Sequence, residues 1–326
     1  MQFIGIDVSK KRLHGAWLRD PQQALTRPKG VDNSPEGHAL LLAWAQRATG
    51  TAPGELCFVL EATGVYHEAV ALFLHQASCQ VAVANPLHIK RFAESLGIRT
   101  KNDHHDGRVL ALYGHQRQPK AWQPPPVYVR DLRALLRRLE ALEEDRQREV
   151  NRLEKAQIEG VPSSVIDSLQ GMLVTLAKEI ERLREQIDNH IDTHSDLKEQ
   201  RAHLETIPGV GPKLSAWFLA LFRLKDFRDA KQAAAFLGLV PIEYQSGTSV
   251  LKRPRLAKNG DGRWRARLFL PALTAARYNA DIRALYERLI ATGKSKMSAV
   301  GAAMRKLVHI AFGVFKHRRP YQPQSA

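Results

Sequence analysis

Four carboxylates stand where they could work together. Asp7 lies in Phe3-Ile4-Gly5-Ile6-Asp7-Val8-Ser9, and Glu61 in Phe58-Val59-Leu60-Glu61-Ala62-Thr63-Gly64. Asp103 and Asp106 lie in Lys101-Asn102-Asp103-His104-His105-Asp106-Gly107-Arg108. The first two end or interrupt short apolar runs, the pattern of a buried strand. The last two are spaced i, i+3, so at a helix start they share one face. Three distant segments can thus converge on one acidic pocket. Four carboxylates packed together cannot all stay ionised without cations. Two Mg²⁺ ions about 4 Å apart would satisfy them and promote in-line phosphoryl transfer. Each residue taken alone has a plainer reading: Asp7 as a strand-end turn residue, Glu61 as a helix cap, and Asp103/Asp106 as an N-cap and a first-turn charge.

A second candidate is Glu243-Tyr244-Gln245-Ser246-Gly247-Thr248-Ser249-Val250. A Ser-Gly turn with three hydroxyls reads as an ordinary loop. Lys252, Arg253, Arg255, Lys258, Arg263, Arg265 and Arg267 follow within a short span. A serine beside so many cations is well placed to meet a phosphodiester, whose developing charge they would stabilise. Serine still needs a base or a metal to activate it. A third candidate is Ile207-Pro208-Gly209-Val210-Gly211-Pro212-Lys213, which joins two helical runs. This matches a helix–hairpin–helix turn. Gly209 and Gly211 would let backbone N–H groups approach a phosphate, with Lys213 and the next helix start favouring the anion. A purely structural tight turn explains the same residues. His104 and His105 read as solvated turn residues.

The elements that must position these groups fall into three stretches. Residues 1–122 alternate. Strands are expected at Phe3–Asp7, Gly15–Leu18, Leu56–Leu60 and Gln80–Ala84. Helices are expected at Pro35–Ala48, Tyr66–Gln76, Ile89–Leu96 and Asp103–Gln118. Strand–turn–strand followed by alternating strands and helices is consistent with an RNase H-like mixed sheet. Pro124-Pro125-Pro126 closes this domain with a stiff spacer. Residues 123–200 hold this linker and a helical hairpin that turns at Gly160–Ser164. Its first arm carries Leu132, Leu136, Leu139, Val150 and Leu153. Its second carries Leu169, Leu173, Leu176, Ile180, Leu183, Ile187 and Ile191, a heptad seam that predicts an antiparallel coiled coil. Residues 201–326 form a mainly helical basic domain. The fold class expected is therefore α/β plus α.

Composition narrows the partner. The 326 residues carry a formal net charge of +16 with 44% hydrophobic residues. Residues 201–326 alone hold 23 Lys+Arg against 7 Asp+Glu, so the whole surplus sits there. A polyanion, and nucleic acid above all, is the expected partner. No apolar run near 18 residues is read, so no membrane span is expected. No charged n-region and h-region precede the strand-like Met1–Ile6, so no signal peptide is evident. Cys57 and Cys79, both in apolar surroundings, read as reduced core cysteines of a cytoplasmic protein.

Taken in order, five motifs resemble the DEDD transposases of the insertion-sequence one-ten family. They are Gly5–Lys10, Leu60–Tyr66, Lys101–Asp106, Ile207–Gly211 and Tyr244–Ser249, and together they cover essentially the whole chain. Site-specific invertases of the Piv type share this architecture. The resemblance implies a RuvC-like DEDD domain, a coiled coil and a C-terminal transposase domain. It implies that Asp7, Glu61, Asp103 and Asp106 hold Mg²⁺, and that Ser246 is a nucleophile that becomes phosphoserine-linked to DNA. It further implies donor and target DNA as substrates, a structured guide RNA from the element, and dimers or tetramers in a prokaryotic nucleoid. Two positions depart from the family pattern, Asn102 for Thr and Gly107 for Ala. Gly107 is expected to loosen the helix start slightly. A hydrolytic Holliday-junction-type nuclease is the first rival, with water as nucleophile and Ser246 structural. A non-catalytic nucleic-acid binder is the second, and the clustered acids argue against it.

Overall fold

The computed structural model describes residues 1–62, 64–98, 103–246, 250–256 and 260–323, and within them not the side chains of 103–105, 243–246 and 250–254. The chain divides into two compact units, Met1–Pro124 and Pro125–Ala326.

In the first unit, β1 (Gln2–Val8), β2 (Arg12–Asp20), β3 (Leu25–Asp32), β4 (Leu56–Glu61) and β5 (Gln80–Ala84) form one sheet. The strand order is β3-β2-β1-β4-β5. β1, β2 and β3 pair antiparallel, whereas β4 and β5 run parallel to β1. This mixed sheet flanked by helices is consistent with an RNase H-like domain. Alternation along the strands splits the core in two. Ile4, Ile6, Leu13, Phe58 and Leu60 face α1 (Pro35–Thr49) and α2 (Glu68–Gln76). Leu18, Cys57, Val59, Ala82 and Ala84 face α3 (Pro86–Ser95) and α4 (Asp103–Arg117). Both cysteines are free and buried, and burial pushes their thiols up to about 11.

Local chemistry sets the helix ends. Ser34 caps α1 by accepting from the Gly37 amide, Pro35 opens the helix, and Gly50 closes it in the left-handed region. β3 is absent from the sequence reading. Only Val31 of this edge strand is well buried, and Pro28 and Lys29 sit mid-strand, so it shows no apolar alternation. Such residues discourage further pairing at a sheet edge.

The second unit opens with two long helices, α5 (Val127–Glu159) and α6 (Ser163–Asp192), packed along one another and joined at Gly160. Their seam is buried mainly near the base, at Leu132, Leu136, Leu139, Leu142, Ile180, Leu183, Ile187 and Ile191, with Ala156 buried close to the turn. There it merges with α7 (Ser195–Glu205), α8 (Pro212–Leu224), α9 (Ala230–Phe236), α10 (Gly262–Tyr278), α11 (Ala280–Ala291) and α12 (Lys296–His317) in one core. Towards the tip, Ile158, Val165, Met172 and Val174 are exposed. By length and composition α12 is apolar enough to cross a membrane, but 56% of its apolar window is buried within the protein. Its side chains Val300, Met304, Leu307, Val308 and Phe312 are core residues of this unit.

Candidate catalytic site

Strand register places the first two carboxylates. β1 and β4 run in parallel with Ile6 beside Leu60, so Asp7 and Glu61 come one step further along, at the C-terminal ends of neighbouring strands. Strands in such a pair lie about 4.8 Å apart. Asp7 shares a sheet face with Phe3 and Gly5, and Glu61 with Cys57 and Val59. That is the face α4 covers.

Glycines set how α4 lies there. A methyl at Gly5 would collide with the Gly107 carbonyl and the Ala111 amide nitrogen. A methyl at Gly114 would come within 2.9 Å of Phe3 and would also strike Val59. One at Gly107 would stand 3.2 Å from the Ala16 methyl and from the His14 carbonyl. Gly107 thus lies over Gly5 and Gly114 over Phe3, so α4 runs antiparallel to β1. Its first turn, with Asp103 and Asp106, points towards the Asp7 end. Gly107 does not merely loosen the helix start; it is the contact that lets the helix backbone reach the sheet.

Asp7, Glu61 and Asp106 are partly buried. Among the described residues, no group of three or more His, Cys, Asp or Glu is gathered closely enough to hold a metal ion. The side chain of Asp103 lies outside them. The donor chemistry nonetheless fits a hard divalent cation: carboxylate oxygens from two adjoining strand ends and one helix start.

The serine segment is not a plain loop. Pro241–Ser246 and Val250–Leu256 form β6 and β7, an antiparallel two-stranded ribbon. Ser246 ends β6 and pairs with Val250, and Tyr244 pairs with Lys252. The side chains of Ser246, Lys252 and Arg253 lie outside the described residues, as does the whole of Lys258. Arg255 is exposed opposite Ile242.

The described cations are unequal. Arg263 pairs with its own helix cap Asp261 at 2.9 Å and with Glu140 at 3.8 Å. Burial works against the Asp261 carboxylate, but bonds from Arg263 hold its pKa below the usual value. Arg267 bonds to the same Glu140 and lies 3.7 Å above the Trp217 ring. Lys213 reaches Glu143, which also receives Arg184 at 3.2 Å. Arg265 differs. Its guanidinium folds back beside Gly262, and one terminal nitrogen is buried with no hydrogen-bond partner.

The turn between α7 and α8 also splits. Gly209 adopts φ +99° and packs against the Pro271 carbonyl and Ala275 of α10, so its lack of a side chain serves packing. Gly211 caps α8, and a Cβ added there would meet nothing within 4 Å. The two expected phosphate contacts thus differ: Gly209 is packed against α10, whereas the Cβ side of Gly211 is open.

Sequence reasoning missed Asn33. It follows Asp32 and precedes Ser34-Pro35, an ordinary strand-to-helix junction. Its amide nevertheless reaches the carbonyls of Ser9 and Tyr66, in the loops after both acid-bearing strands. Nothing in residue type or spacing announces so long a reach.

Known proteins resemble this chain along nearly all its length. A family model described as a transposase, of the DEDD IS110 type, matches residues 4–158. A second, described as the transposase IS116/IS110/IS902 family, matches residues 201–287. Pilin gene-inverting proteins of Moraxella bovis and Moraxella lacunata are each 32% identical over 323 residues, covering 98% of this chain and 97% of theirs.

Proposed function

The chain belongs to the IS110 family of transposases and related invertases, DNA recombinases, and from that premise we propose that its acidic strand ends and its serine ribbon serve one phosphoryl transfer on DNA. The observation that carries the proposal is the meeting of Asp7, Glu61 and the first turn of α4 at one end of the sheet.

In this reading Asp7, Glu61, Asp103 and Asp106 hold divalent metal, best matched by a pair of Mg²⁺ ions. When bound, the metal supplies charge neutralisation at the scissile phosphate and lowers the cost of an alkoxide. The Ser246 Oγ attacks phosphorus and gives up its proton to a base. The bond from phosphorus to the 3′ oxygen breaks, and that oxygen leaves as a 3′-OH. A serine–phosphate ester conserves the bond energy. A new 3′-OH then attacks the ester and returns serine to its hydroxyl form. Arg255, Arg265 and their neighbours Lys252, Arg253 and Lys258 steady the phosphate charge, while Gly211 offers backbone N–H groups at the α8 start.

The three stretches divide the labour: residues 1–122 cut, the hairpin of 123–200 assembles, and 201–326 bind nucleic acid and supply the serine. We read the hairpin as an antiparallel coiled coil, and the α7–α8 turn as helix–hairpin–helix. The exposed apolar tip residues Ile158, Val165, Met172 and Val174 suit a second copy of the chain, giving dimers or tetramers on DNA. A structured guide RNA that pairs with donor and target suits the basic unit, and a prokaryotic cytoplasm suits the whole. The relatives named for pilin gene inversion favour a second reading, inversion at fixed sites in place of transposition.

Trapping the adduct tests the proposal. Ser246→Ala is expected to lose both the covalent protein–DNA species and strand exchange while still binding DNA. Mass spectrometry should place the nucleotide on Ser246, with Ser249→Ala and Thr248→Val as controls. Normal cleavage with no adduct on any residue would hand the reaction to the hydrolytic reading.

A further inference from the structure

The acidic end of the sheet has a built rim. Two loops leave it, Ser9–Lys11 after β1 and Gly64–His67 after β4. Asn33 joins them. Its side-chain amide donates to the Ser9 carbonyl at 3.0 Å and to the Tyr66 carbonyl at 3.2 Å. Its backbone N–H donates to the Lys11 carbonyl at 2.9 Å. Two carbonyl acceptors fix which end of the amide is nitrogen, so the other end is the acceptor. His38 Nε2 lies 2.8 Å from that oxygen and therefore carries the proton. His38 is only 4% exposed, so the bridge is anchored in the core beneath α1. A polar network this well satisfied holds its members at one spacing.

What the bridge holds is chemically specific. Val65 is 55% exposed and Tyr66 44% exposed, an unusual display of apolar surface on a short loop. Lys10 and Lys11 are exposed on the other loop. An aromatic side chain and cations on two bridged loops, at the acidic end of the sheet, match the way proteins grip single strands: the ring stacks on a base and the cations take the backbone. A paired base keeps its faces inside the duplex, so the ring selects an unpaired one.

We propose that this rim is a platform for an unpaired stretch of the DNA strand being cut, with Tyr66 stacking on a base and Lys10 and Lys11 on flanking phosphates, and with Asn33 and His38 as positioning residues. It rests on reading the acidic end as the place of cleavage. The platform presents the phosphate next to the stacked base to Asp7 and Glu61. It also explains why a buried histidine and an asparagine are spent on two surface loops.

Photochemical cross-linking of the full chain tests it. The probe is a single-stranded 12-mer DNA carrying 5-iododeoxyuridine, held in EDTA so that no cleavage occurs; adducts are mapped by mass spectrometry. A cross-link at Tyr66 is expected. Tyr66→Ala, a change at an exposed site, should weaken binding of the 12-mer about tenfold, and Tyr66→Phe should restore it. His38→Leu should lose most of the Tyr66 cross-link, whereas His38→Gln, whose amide can replace the Nε2 donor, should keep it. Cross-links confined to other residues, wild-type affinity in Tyr66→Ala, or cross-linking by an RNA 12-mer alone would overturn the proposal. Asp7→Asn separates the two readings. It should cross-link normally and cleave nothing. Normal cleavage by Asp7→Asn would remove the cleavage-site reading while leaving the platform standing. An inactive Asp7→Asn with no Tyr66 cross-link in the parent protein would remove the platform alone.

Discussion

In the N-terminal unit the charges that matter sit on backbone already fixed by pairing, and in the C-terminal unit many sit on side chains that have already found partners. Asp7 and Glu61 owe their closeness to strand register, and Asp106 to a helix pressed on the sheet at Gly5 and Gly107. The basic unit looks like a uniform field of cations in sequence. In the fold, Glu140 absorbs Arg263 and Arg267, Glu143 absorbs Arg184 and Lys213, and Asp196 takes Arg223 at 2.7 Å. Tyr128 sits in the last of these pairs, donating to Asp196 and accepting from Arg223. Net charge therefore overstates how much of the basic unit faces a partner, whereas the placement of the acids follows from backbone pairing.

The largest expected effect tests the acidic side. Asp7→Asn, Glu61→Gln, Asp103→Asn and Asp106→Asn should each lower strand cleavage by roughly a thousandfold or more, with DNA affinity nearly unchanged. Near-normal cleavage in any two would dissolve the site. The glycine contact comes next. Gly5→Val would force α4 off the sheet and should cost about 3 kcal/mol or more, read as a lower denaturation midpoint together with lost cleavage. A variant that is stable and active would mean that α4 is free to shift.

On the basic side the arginines should behave differently from one another. Arg265→Ala and Arg255→Ala should each reduce the slope of log affinity against log salt by about 1. Arg267→Ala should cost stability through Glu140 and Trp217 and leave the slope alone. Equal slopes across all three would erase the distinction between committed and available cations. At the hairpin, Ile180 lies in the core, so the probes of assembly are the exposed Met172→Glu and Ile158→Glu. They should leave the unfolding free energy within about 0.5 kcal/mol of the parent and reduce recombination.

The smallest effect is shared by both units. Burial lowers the pKa of His38, and burial with nearby Arg305 and Lys306 lowers that of His309. A histidine whose folded pKa lies below its unfolded value binds its proton more readily when unfolded. Stability is then full above the unfolded value, about 6.5, and falls as pH drops below it. Thermal melts at decreasing pH should show that loss, and replacing both histidines with Gln should flatten it.

Much of the N-terminal unit was legible because its strands are short apolar runs with one acid at the end. β3 was not, because an edge strand with Arg27, Pro28 and Lys29 buries too little to leave a pattern. The serine ribbon was hidden for a related reason. Glu243, Gln245, Lys252, Arg253 and Arg255 are polar on both strands, and the turn chemistry of Ser-Gly-Thr-Ser dominated the reading. The hairpin seam was visible throughout, but its division into a buried base and an exposed tip depends on where α7–α12 dock. The acids were visible as residues; the Asn33–His38 bridge was not, since its bonds span 24, 33 and 5 positions.

The seat of α4 on the sheet has a consequence for tolerance. Most contacts in a core are filled by side chains, which can be exchanged for others of similar bulk, and distances drift by fractions of an ångström as they are. At Gly5, Gly107 and Gly114 no side chain intervenes, so main chain rests on main chain and on the side chains it directly meets. The gap between the Asp7 strand and the start of α4 is thus gauged by atoms that substitution elsewhere cannot change. Repacking the opposite face around Trp44 or Leu74 could cost the protein stability without altering the calliper on which its acids are mounted.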